Sequence, residues 1–158
     1  MKRKEEREWR EEIEKKRKLR TYKKIKTKLA LEEYVAELDR EKRRHLTMLR
    51  GGTNQLRIDV GRRKGLREEE RVCQACLCEE VEDEKHFLLL CPMYVSERVN
   101  MFNRIREECN LEHLERLDED KQIDVLIGIG WRKKEKEIRE IVLEYIRKAF
   151  DIRKRLVP

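Results

Sequence analysis

Long apolar runs are missing from this 158-residue chain: no stretch of about 18 apolar residues occurs, so no segment reads as a membrane span. A signal-peptide-like apolar run is missing too, because the chain starts Met1-Lys2-Arg3-Lys4. Aromatic residues make up only 6%, too few for a broad platform on which bases could stack. With 47% charged residues against 38% hydrophobic, only a modest core is expected. No nucleophile with a supporting base can be assembled from the sequence, so an enzyme is not expected. The three histidines include His45 and His113, both in polar surroundings that suit the surface. The five cysteines are an odd number. With no signal-peptide-like run at the start of the chain, an intracellular compartment, nuclear or cytoplasmic, is expected, where close cysteines bind metal more often than each other.

Four of the scarce metal-binding side chains are grouped. In CQACLCEEVEDEKHFLLLCP, residues 73–92, the order is Cys73-x2-Cys76-x9-His86-x4-Cys91. Two cysteines two positions apart grip one ion from a tight turn, and a His and a Cys five positions apart can close the tetrahedron. This donor set suits Zn2+, and four protein ligands leave no open position for water activation. A disulfide or buried free thiols are the alternative. Cys78 competes with Cys73 and Cys76, but its one-residue spacing from Cys76 makes the poorer chelate. Cys109 falls on the apolar stripe Val95, Val99, Phe102, Ile105 and Cys109, where it reads as a small buried hydrophobe.

Around this loop, Asp83 is expected to cap a helix over 84–90 that points His86 inward and buries Phe87 and Leu90, with Pro92 ending it. Three thiolates make the site negative, and Arg71 and Lys85 are the expected offsets. Glu79, Glu80, Glu82, Asp83 and Glu84 make the loop acidic, which argues against nucleic acid touching it. Structural zinc contributes on the order of 10 kcal/mol of apparent binding free energy, more than so thin a core supplies.

The rest of the chain reads as helices, giving a mainly α fold: a small helical domain, 21–157, organised around the zinc loop at 73–91, behind a charged extension at 1–20. That extension is either a solvated helix or a disordered arm. Helical periodicity runs from Tyr22 to Leu38, and a second helix over 39–50 ends at Gly51-Gly52. The alternation Leu56, Ile58, Val60 suggests a short extended piece. A helix over 94–109 follows the site, and Asp118 caps another carrying Ile123, Leu126 and Ile127, ending near Gly128-Ile129-Gly130. From Trp131 to Val157, Ile138, Val142, Tyr145, Ala149, Ile152 and Leu156 recur in steps of four and three. Such a stripe is a core face or a seam for a partner helix, and Ile141, Ile146 and Phe150 widen it.

Charge is uneven, since residues 1–28 hold fourteen Lys or Arg against six Glu. Lys15, Lys16, Arg17, Lys18, Arg20, Lys23 and Lys24, then Arg43 and Arg44, then Arg62 and Arg63, are candidates for phosphate binding. A solvated face alternating with glutamates is the competing reading. Tyr22 and Tyr94 are the aromatics considered for stacking, though burial suits both.

A family resemblance rests on Leu19-Arg20-Thr21-Tyr22-Lys23, Leu49-Arg50-Gly51-Gly52-Thr53, Leu56-Arg57-Ile58, Gly61-Arg62, Glu69-Glu70-Arg71, Glu82-Asp83-Glu84-Lys85-His86-Phe87-Leu88, Cys91-Pro92-Met93-Tyr94 and Arg98. With the Cys73-x2-Cys76 pair between them, these runs resemble the region after the polymerase core in reverse transcriptases of non-long-terminal-repeat retrotransposons. Tyr145-Ile146-Arg147-Lys148-Ala149-Phe150-Asp151-Ile152-Arg153 resembles the tails of such proteins. The resemblance implies that Cys73, Cys76, His86 and Cys91 form a zinc element engaging RNA or target nucleic acid. It departs from the family in lacking an Asp-Asp pair for two catalytic metal ions, so no polymerase activity is expected. A detached, non-catalytic zinc module that binds nucleic acid, RNA favoured, is the leading expectation. The alternative is an interaction module whose C-terminal stripe docks a polymerase core or a second copy.

Overall fold

The computed structural model describes residues 2–111, 113–128 and 135–157. The fold is mainly α, with no strand among the described residues. None of the described helices is long and apolar enough to cross a membrane. The chain divides into two compact units after Asn54, rather than after Arg20 where the charge density changes.

The first unit, Met1–Asn54, holds α1 (Lys2–Glu14), α2 (Arg20–Ile25), α3 (Glu33–Glu37) and α4 (Arg40–Arg50). The charged extension is therefore helical, with Ile13 its buried anchor. The single helix expected from Tyr22 to Leu38 is broken over residues 26–32. Four lysines, at 23, 24, 26 and 28, crowd like charge onto that stretch. The break instead satisfies its carbonyls with cations: Arg10 donates to Thr27 O (2.5 Å) and Lys26 to Ala30 O. Leu29 and Leu31, two apart and so on different helix faces, are left exposed. Arg50, buried at the end of α4, donates to Glu32 Oε2 (2.6 Å) and lies 4.4 Å above the Tyr34 ring. Asp39 caps α4 through Lys42 N, and the helix ends at Gly51-Gly52. Gly52 has φ +62°, and a Cβ there would come within 1.9 Å of Lys18 O.

The second unit, Gln55–Pro158, holds α5 (Arg57–Arg63), α6 (Val95–Cys109), α7 (Glu119–Ile127) and α8 (Glu135–Leu156). Leu56, Ile58 and Val60 lie in or at the start of a helix, not in an extended piece. The cause is distant in sequence. Glu82 accepts from Arg57 N through its carboxylate (2.7 Å), and its carbonyl accepts from Ile58 N (3.0 Å), so the first turn of α5 is capped from the Cys- and His-bearing loop.

Packing of α6 against α8 forms the main core. On α6 the buried face is Met101, Phe102, Ile105 and Cys109. Val95 and Val99, expected on that face, are 54% and 52% exposed. On α8, Ile138, Ile141, Val142, Tyr145, Ile146, Ala149 and Phe150 are buried within the chain, whereas Leu156 is exposed. Arg104 to Glu144 (2.6 Å) and Lys148 to Glu97 (3.6 Å) cross the rim of this interface. Asp118 caps α7 through Lys121 N (2.9 Å), and Gly128 ends it with φ 95°. The expected start of the last helix, from Trp131, and the Ile129-Gly130 stop lie outside the described residues.

Candidate metal centre

Two short backbone devices build the site. The first is an antiparallel bridge between Val72 and Val81, flanked by Cys73 N to Glu80 O (2.8 Å) and Glu82 N to Arg71 O (3.0 Å). It closes a loop whose bend over residues 74–78 carries Cys73 and Cys76 inward, and Glu79 turns the chain back at φ 53°. The second is a turn started by Asp83, whose carboxylate accepts from His86 N (2.8 Å), as the sequence suggests. That turn then widens into a π-helix, His86–Leu90, closed by Cys91 N to His86 O (2.7 Å).

The widening has a geometric consequence for the ligands. In an α-helix residues five apart point about 140° away from one another. A turn closed by an i to i+5 bond brings them back toward one side, which lets His86 and Cys91 face a common centre. Pro92 then holds Cys91 at φ −58°, ψ 122°, ending the helix. Phe87 and Leu88 are buried, but Leu90 is 43% exposed, contrary to expectation, because the π-turn rotates it outward.

Cys73, Cys76, His86 and Cys91 are all buried, and their ligand atoms all lie within 4.8 Å of one another. Cys76 Sγ is 3.4 Å from His86 Nε2. A tetrahedron with metal–sulfur bonds of about 2.3 Å and a metal–nitrogen bond of about 2.1 Å has edges of about 3.6–3.8 Å, so the spacing suits a metal ion. Three thiols cannot all shed protons in so small a buried volume without a cation. Left to themselves they share protons. Hydrogen bonding from Cys91, helped by His86, holds Cys73 down to about 3 against the effect of burial, while its hydrogen bond to Cys73 and burial push Cys91 up. Burial raises Cys76 to about 11. Nε2 of His86 is turned toward the sulfurs, and its Nδ1 is buried and finds no hydrogen-bond partner among the described residues.

No cysteine is in a disulfide; Cys109 is buried on α6 and Cys78 is exposed, outside the four-ligand group. The expected charge offsets act elsewhere: Arg71 donates to the carbonyls of Leu66 and Ile58, and Lys85 pairs with Glu119 (2.6 Å). Arg98 takes part instead, donating to Cys91 O (2.5 Å) and Leu88 O (3.0 Å). Nor is the acidic loop uniformly solvated. Glu82 is fully buried and receives two bonds from Arg153 of α8 (2.6 and 2.8 Å). Tyr145 of α8 donates to Phe87 O (2.9 Å), and the Phe87 ring meets Phe150 (4.7 Å) and Tyr94 (5.1 Å). Thus α8 grips the residues on both sides of His86. Nothing local in the sequence marks Glu82, Arg98, Tyr145 or Arg153 for these roles, because each partner is set by the fold.

The candidate phosphate-binding residues divide by partner. Lys15 pairs with Glu12 (3.0 Å), Lys23 with Glu14 (3.3 Å) and Arg62 with buried Asp59 (3.7 Å). Arg43 donates to the carbonyls of Val35 and Leu38. Arg20 is half-buried, and Arg63 is exposed. Lys16, Arg17, Lys18, Lys24 and Arg44 are exposed, with no ion-pair partner among the described residues. Tyr94 is buried and Tyr22 half-buried, so neither offers an open stacking face. No family model, no curated protein and no solved structure matches this chain.

Proposed function

We propose that the chain is a non-catalytic zinc module that binds nucleic acid, RNA in preference, of the kind found after the polymerase core in non-long-terminal-repeat reverse transcriptases. The buried Cys3His group carries the reading. Cys73, Cys76, His86 and Cys91 hold the ion, and zinc suits three thiolates and one imidazole. Bound there, zinc supplies structural cross-linking. The family assignment rests on the sequence runs quoted above.

Charge supports the nucleic-acid part. Residues 1–54 carry 19 Lys and Arg against 11 Asp and Glu, whereas residues 55–158 carry 22 against 23. The entire positive excess therefore belongs to the first unit, where the exposed Lys16, Arg17 and Lys18 follow α1. A second reading keeps the zinc and replaces the nucleic acid by a protein partner, favoured by exposed Leu90, Met93, Val95 and Val99 around the start of α6.

Titration against RNA and duplex DNA at rising salt separates the two. Electrostatic binding falls steeply with salt, and replacing Lys16, Arg17 and Lys18 by glutamine weakens it and flattens the salt slope by about 2–3. Absence of binding to either nucleic acid at low salt contradicts the first reading. Cys76→Ser or His86→Ala lowers bound zinc and helical content together, measured by elemental analysis and circular dichroism; stoichiometric zinc in either variant means that the ligands are wrongly assigned.

A further inference from the structure

We propose that Cys78 is a peroxide-sensitive site whose oxidation joins it to Cys76 and so removes one ligand from the metal group. The inference rests on the metal reading above. Four of the five cysteines are buried, and Cys78 alone is exposed. It stands on the outer side of the bend at 74–78, next to Leu77, which is 100% exposed, so a small oxidant reaches it without any packing being disturbed. Among the three ligand sulfurs, that of Cys76 belongs to the least enclosed residue, and Cys78 follows it two positions on along the same bend. Two α-carbons two positions apart in a bent segment are separated by roughly 5.5–6.5 Å, inside the range a disulfide spans. An accessible thiol with a resolving cysteine beside it is the arrangement redox-sensitive cysteines use.

The chemistry balances with hydrogen peroxide as the only oxidant. Its O–O bond breaks, one oxygen passes to the Cys78 sulfur to give a sulfenic acid, and the other leaves as water. The Cys76 thiolate then attacks that sulfur; the S–S bond forms, the S–O bond breaks, and hydroxide leaves and takes a proton from solvent to become a second water. The two sulfurs together lose two electrons and the peroxide gains two. Cys76 no longer offers a thiolate, and Cys73, His86 and Cys91 remain as a three-ligand site of lower affinity. Reduction by a dithiol reverses the step. Cys73 and Cys91 are buried more deeply than Cys76.

The full chain is loaded with zinc, its metal content is measured, and hydrogen peroxide is added in the presence of a chromogenic zinc chelator. Peptide mapping after alkylation of free thiols locates any disulfide. The expected result is zinc release together with a Cys76–Cys78 disulfide, both reversed by dithiothreitol and added zinc. Cys78→Ser should bind zinc as the parent does and release it about tenfold more slowly under peroxide. Equal release rates in the two proteins, or a disulfide between other cysteines, overturns the inference. A chain that binds no zinc before oxidant fails the metal reading, whereas zinc-loaded chain that keeps Cys78 reduced fails only this inference.

Discussion

Glu82 shows most sharply what a single side chain does in this molecule. It sits between the bridged loop and the Asp83 cap, takes two bonds from Arg153, and caps Arg57 N of α5. A buried carboxylate is stable only while its partners remain. Arg153→Leu is therefore expected to destabilise the second unit by about 3–5 kcal/mol, since Glu82 stays buried without its counterion; urea denaturation measures it. A loss below about 1 kcal/mol, the range of surface pairs, would mean that the pair is incidental. The grouping of Cys73, Cys76, His86 and Cys91 was legible in the sequence because their spacing is a local property. Glu82 was not, because it lies in a run of acids that reads as solvated, and its arginine is 71 positions away.

At the scale of elements, local signals and tertiary contacts decide different parts of the chain. Asp83 and Asp118 start their helical segments as the sequence indicates, since an N-cap acts within three residues, and Asp39 does the same for α4. The extended piece expected at 56–60 and the long helix expected at 22–38 both failed. In one, Glu82 supplies a helix cap from far away; in the other, cations on carbonyls hold a break that periodicity does not register. The π-turn matters most for the site, and the sequence hides it because a wide turn shifts which leucines face inward. Leu88→Ala, at a fully buried position, should cost about 2–5 kcal/mol, while Leu90→Ala should change stability by less than about 0.5 kcal/mol. Thermal or urea unfolding of both variants tests the turn. Equal costs would mean an ordinary α-turn with Leu90 inward.

For the whole molecule, the charge divides between the two units. The first unit carries the positive excess, and the second is near neutral and contains the Cys3His group. In the second unit, α8 holds the turn that carries His86 and Cys91 through Tyr145, Phe150 and Arg153, so metal binding there is expected to stabilise the packing of α8. Helical class and the charge asymmetry were readable from composition and periodicity. The division after Asn54 was not, because α2, α3 and α4 carry apolar residues much like those that follow, and only packing separates them. Zinc affinity should fall as pH falls, because protons compete for the three thiolates.

X-ray absorption at the metal edge of the purified, zinc-loaded chain, combined with elemental stoichiometry, tests the central claim most directly. One zinc per chain bound by three sulfurs and one nitrogen, at about 2.3 Å and 2.1 Å, is the predicted result. Absence of bound zinc, or a four-sulfur shell that draws in Cys78 and leaves His86 free, would contradict it.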